Sequence, residues 1–66
     1  MDGQVLYRIT LKMTHMSIQN YFEYEFDEEV PVEINIMEHI KDIMKAFSEL
    51  YQSVSLVKIR VVKYIE

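Results

Sequence analysis

The chain has 66 residues, half of them hydrophobic, with one glycine, one proline, no cysteine and a formal charge of −4. A single domain of this size (residues 1–66) buries only about 60% of the surface its unfolded form exposes, and its core supplies no more than about 3–5 kcal/mol without a staple. Absent thiols exclude disulfides and Cys/His zinc sites, which leaves association with a second copy as the expected staple. No run of about eighteen apolar residues spans a membrane, and no basic-then-apolar leader marks the N-terminus for secretion.

Val5, Tyr7, Ile9, Leu11 and Met13 alternate with Leu6, Arg8, Thr10, Lys12 and Thr14. A period of two over this length predicts a strand with one buried face. After a turn around His15, Met16 and Ser17 the alternation resumes, with Phe22, Tyr24 and Phe26 facing one way and Tyr21, Glu23 and Glu25 the other. The two strands read as a hairpin, followed by an acidic loop from Asp27 to Glu33 around Pro31.

Asn35 is a favourable helix N-cap, and Glu38 three residues on completes a variant of the capping box. Ile36, Ile40, Ile43, Met44, Phe47, Leu50 and Tyr51 then recur at steps of three and four, one apolar stripe of a helix ending near Tyr51 or Gln52. His39, Lys41, Asp42, Lys45 and Glu49 fill its solvent side. From Leu56 to Ile65 the period returns to two. Val57, Ile59, Val61 and Ile65 form one face of a last strand, and Lys58, Arg60, Val62 and Tyr64 the other. The order is ββαβ: an α+β fold with a three-stranded antiparallel sheet, one helix across its apolar face, and a core thin enough to favour a homodimer.

Catalytic chemistry finds little support. His15 and His39 stand apart, and His39 lacks a second ligand at the spacing that places two side chains over one metal ion. The serines at 17, 48, 53 and 55 have no nucleophile-elbow context or placed histidine. The carboxylates lack a pocket to raise their pKa, and the only glycine, Gly3, cannot form a phosphate loop. No enzyme, metal or cofactor is therefore expected. The acids concentrate instead: Glu23, Glu25, Asp27, Glu28, Glu29 and Glu33 put six of the eleven in one stretch, predicting one strongly negative edge. Carboxylates on one strand face stand about 6–7 Å apart, a regular row that either solubilises the surface or imitates nucleic-acid phosphates to a DNA-binding protein. Phe47 and Tyr51, one helical turn apart, are either core or a partner-binding anchor.

Three blocks resemble the small dimeric uracil-DNA glycosylase inhibitors of the protein-primed, short-tailed Bacillus phages. Tyr7-Arg8-Ile9-Thr10 with Tyr21-Phe22-Glu23-Tyr24 is similar to that family's first hairpin, and Phe47, Leu50 and Tyr51 to its Phe-x-x-Leu-Tyr helix end. The run from Leu56 to Ile65, with Lys58, Arg60 and Lys63 in step, is similar to its last strand. The blocks keep their order and cover over half the chain. The stretch between Tyr24 and Phe47 is longer than in the family, and Ser48 stands where the family has a glutamate, with Glu49 one place on.

The resemblance implies a homodimer that occupies the DNA-binding cleft of the host's uracil-DNA glycosylase in the bacterial cytoplasm. A pocket between its subunits would receive the apolar side chain the enzyme pushes into the minor groove. Phe47 and Tyr51 would line or flank that pocket, acids would meet the cleft's phosphate-binding groups, and Glu23 would either make contact or support the dimer; Ser48, Glu49 and Tyr21 complete the expected partner-binding residues. It implies no direct nucleic-acid binding and no membrane. Two other readings stay open. One is an acidic phage inhibitor of another DNA-processing or defence protein. The other is a small dimeric nucleic-acid-binding module using Arg8, Lys12, Lys58 and Arg60, provided strands one and three are neighbours. An inert assembly subunit would show neither activity.

Overall fold

The computed structural model describes residues 3–15 and 20–66. Strand β1 spans Gln4–Thr14, β2 Tyr21–Pro31, helix α1 Ile36–Phe47 and β3 Ser53–Ile65. The strands form one antiparallel sheet in the order β2-β1-β3, so β1 is central and the two others are edges. The ββαβ order and the antiparallel sheet are those read from the sequence. Met16 and Ser17, the tip of the expected first turn, lie outside the described residues.

On β1 the alternation holds throughout. Ile9, Leu11 and Met13 lie on the helix side and are fully buried with Ile40 of α1; Val5 and Val30, also on that side, are buried further down the sheet. Strand β2 runs further than expected: Asp27 to Pro31 is strand, not an acidic loop. The period of two continues through it, with Glu28 and Val30 opposite Tyr7 and Val5, and Asp27 and Glu29 opposite Arg8 and Leu6. Pro31 is tolerated because it closes an edge strand, where no ladder bond needs its missing N–H.

Asn35 caps α1 as expected, its side-chain oxygen accepting from the backbone N–H of Met37 at 2.9 Å and of Glu38 at 3.4 Å. Such a cap contributes about 1 kcal/mol. Glu38 in the first turn and Lys45 in the last suit the helix dipole. The helix stops at Phe47, four residues short of the expected end. The Ser48 hydroxyl donates to the Lys45 carbonyl at 2.6 Å, and the Leu50 and Tyr51 amides both turn back to the Phe47 carbonyl. The chain must reverse here, because the Gln52 amide bonds the Thr14 carbonyl and the Ser53 hydroxyl meets that of Thr14. Leu50 consequently leaves the stripe and is 69% exposed.

Strand β3 corrects the expected faces. Val57 and Val62 have no partner on β1, where the register shifts by one residue. Each β-bulge flips the alternation. The helix-side partners of Met13, Leu11, Ile9, Tyr7 and Val5 are Val54, Leu56, Ile59, Val61 and Tyr64. Val57 moves to the opposite, open face, and Tyr64 leaves that face for the helix side. Without the bulges, the even-numbered alternation that puts Val54 and Leu56 under the helix would carry Lys58 and Arg60 there too. With them, Lys58, Arg60 and Lys63 all stand on the open face, opposite Thr10, Arg8 and Leu6.

Candidate functional site

At the C-terminal end of α1, Phe47 and Tyr51 lie against the helix side of β2. The Phe47 ring meets Tyr24 at 5.9 Å, Phe26 at 6.5 Å and Tyr51 at 6.3 Å between centroids, and Tyr51 meets Phe22 at 5.4 Å and His15 at 5.8 Å. These are edge-on and tilted contacts of the kind aromatic rings favour. Both Phe47 and Tyr51 are half-buried, so each serves the core and still presents surface. Tyr24, exposed at the β2 edge, widens the apolar patch. Period two had already placed Phe22, Tyr24 and Phe26 on one face; their meeting with the helix end came only with the fold.

Ser48 and Glu49 are exposed in the turn between Phe47 and Tyr51. Ser48 is engaged with its own helix through the Lys45 carbonyl, which leaves Glu49 as the carboxylate of that turn. Tyr21 and Glu23 lie on the other face of β2, opposite Thr14 and Lys12. Six residues expected in one site therefore divide between two faces, four at the helix end and two on the open face. Because β2 is an edge strand, a partner gripping that edge can reach both.

The open face is charged but not uniformly negative. Glu23, Glu25, Asp27 and Glu29 line β2, while Lys12 and Arg8 on β1 and Lys58, Arg60 and Lys63 on β3 stand beside them. The Arg8 guanidinium grips Asp27 with two bonds, Nε to Oδ1 at 2.8 Å and Nη2 to Oδ2 at 3.0 Å. The Lys12 ammonium sits 4.2 Å from the centre of the Tyr21 ring. The face needed for nucleic-acid binding through Arg8, Lys12, Lys58 and Arg60 does form, since β1 and β3 are neighbours. Two of its four cations are nevertheless spent within the chain, and acids border it.

Asp27 is held below the usual carboxylate range, mainly by the hydrogen bonds from Arg8, which outweigh its partial loss of water; the charges of Arg8 and Arg60 add to this. A lowered carboxylate pKa stabilises the fold above the ordinary range and ceases to do so as pH falls through the folded-state value. The urea midpoint of Asp27→Asn should therefore lie below that of the parent at neutral pH and converge with it in acid. A gap unchanged between neutral pH and about pH 2 would show that the pair contributes nothing through ionisation.

His39 is not on the solvent side of the helix. It is half-buried, with Nε2 2.8 Å from the Glu28 carboxylate of β2, and so ties that flank of α1 to the sheet. Among the described residues no group of three or more His, Cys, Asp or Glu side chains could hold a metal ion. Nor, among the described residues, is any helix long and apolar enough to cross a membrane. Comparison with models of protein families, with curated proteins and with solved structures found no match.

Proposed function

We propose that this chain is a phage-encoded homodimeric inhibitor of its bacterial host's uracil-DNA glycosylase, acting in the cytoplasm by standing in for DNA in the enzyme's cleft, with no catalysis of its own. One observation carries the reading: a half-exposed aromatic patch, Tyr24, Phe47 and Tyr51, is bordered by Glu49 on the helix side and by Glu23 across the β2 edge. An apolar patch with carboxylates near it suits a cleft built for DNA: the patch seats the apolar side chain that the enzyme inserts, and the carboxylates take the place of phosphates at the cleft's donors. The likeness of the hairpin, helix-end and last-strand blocks to the phage inhibitors supports the particular enzyme. A net charge of −4 per chain favours approach to a basic cleft.

The test is uracil excision from a uracil-containing oligonucleotide by a bacterial uracil-DNA glycosylase, titrated with this protein. Activity should vanish at a fixed ratio, about two chains per enzyme where the subunits share one seat and about one where each carries its own, and the association rate should fall as salt rises above the range where charges act at distance. Activity that survives a large excess would discard the glycosylase as target. Binding to duplex DNA at moderate salt would favour the nucleic-acid-binding reading instead.

A further inference from the structure

We propose that the open face of the sheet is where a second copy of this chain docks, the two sheets stacked face to face about a two-fold axis running along β1. The inference deepens the homodimer part of the function proposed above and rests on it, but not on the identity of the target enzyme.

The register supplies the argument. Three successive rows across the sheet read Glu25–Thr10–Lys58, Asp27–Arg8–Arg60 and Glu29–Leu6–Lys63. Each has its acid on β2, its base on β3 and β1 between them. A half-turn about an axis along β1 reverses every row without moving it along the strands. All three acids of one copy then oppose all three bases of the other, and the reverse holds by symmetry. Other two-folds lack this match. A half-turn about an in-plane axis across the strands lays β2 over β2, acids against acids. A half-turn that joins the β3 edges in one continuous sheet brings Lys58, Arg60 and Lys63 together. The chosen operator does set Arg8 against Arg8 and Lys12 against Lys12 on the axis, but Arg8 is neutralised by Asp27 and Lys12 lies over Tyr21 in its own chain. These two like pairs stand against six acid–base pairs, so charge complementarity favours this operator.

The rest of the face fits the same arrangement. Between the charged columns lie Leu6 and Thr10, with the bulge residue Val57 beside them; Thr10, Glu23, Glu25, Val57 and Lys58 line a shallow hollow. The same column of β1 also carries Arg8 and Lys12. Arg8, the central charge, is already matched by Asp27 in its own chain. Stacked sheets lie about 10 Å apart, a gap that facing Glu and Lys or Arg side chains span together. A three-stranded face of this length covers roughly 500 Å² per copy, near the lower limit of about 1,000 Å² in total for a specific interface. Rim pairs stay partly hydrated, which avoids most of the desolvation cost of buried charges and leaves the dimer sensitive to salt.

Glu23 then faces Ser55, which is uncharged, and remains available to a partner. The Phe47–Tyr51 patches then point outwards on opposite sides, so each copy carries a complete patch and the apolar seat lies within a subunit, not between subunits as the resemblance implies.

Sedimentation equilibrium on the full chain tests this. The parent should be a dimer that dissociates as salt rises. Glu25→Lys places like charges together twice in the symmetric pair and should raise the dissociation constant by ten-fold or more. The exchanged variant Glu25→Lys/Lys58→Glu should restore the dimer. Within one chain these two residues stand on opposite sides of β1, so rescue reports contact between copies. Circular dichroism of each variant checks that the fold is intact. A parent that stays monomeric, or a dimer indifferent to Glu25→Lys, would overturn the proposal. So would a dimer broken by Tyr64→Ser instead, which would place the second copy on the helix side of β3. The excision titration separates the two readings: a charge-matched dimer without inhibition sinks the enzyme target alone, and inhibition by a monomer sinks this surface alone.

Discussion

Replacing Ile40 by alanine should detach the helix from the sheet. Ile40 is the one fully buried side chain of α1, 1% exposed, and it seals Ile9, Leu11 and Met13. Truncating a buried isoleucine costs about 2–5 kcal/mol, and a domain of this length has only about 3–5 kcal/mol to lose. Loss of helical signal by circular dichroism, with a collapsed urea midpoint, is the expected result. Leu50→Ala is the matched control. It belongs to the same stripe in the sequence, yet its exposure limits the change to about 0.5 kcal/mol. A parent-like midpoint for Ile40→Ala would mean that the helix does not pack on this face.

The second large effect concerns Phe47 and Tyr51. If the aromatic patch anchors the partner, truncating either ring should cost about 2 kcal/mol or more of binding, a loss of inhibition of roughly 30-fold. Both rings also touch neighbours in the core cluster, so alanine variants lose fold stability as well as affinity. Phe47→Leu separates the roles. It keeps most of the apolar volume that Tyr24, Phe26 and Tyr51 pack against but removes the flat ring. A folded Phe47→Leu protein that inhibits ten-fold less well supports the anchor. Full inhibition by that folded variant would leave Phe47 a core residue only, and the partner site would have to be sought elsewhere.

Much of this architecture follows from local pattern. Alternation in β1 and the aromatic half of β2 needs only that one strand face be dry, and it assigned the faces correctly, although Thr10 on the open face is buried as well and Tyr24 on the helix side is exposed. The Asn35 cap and the stripe from Ile36 to Phe47 are equally local, because a helix start depends on bonds two or three residues away. The acidic stretch misled at Asp27–Pro31, since charge and proline resemble a loop until Arg8 is seen across the ladder. His39 misled for the same reason: its partner, Glu28, is on another element.

The sequence by itself thus determined the order ββαβ, the buried face of β1, the helix start and the paired aromatics at the helix end. The tertiary structure alone decided where α1 ends, because the chain must turn to bring Ser53 beside Thr14. It also decided the faces of β3. In a run rich in β-branched residues nothing local marks a bulge, and with Val57 and Val62 displaced the bases stay out while Leu56 and Ile59 both pack on the core. Strand order completed the picture: with β1 in the centre, acids from β2 and bases from β3 flank it in successive rows. No short-range pattern contains that arrangement, because it is a property of three segments meeting.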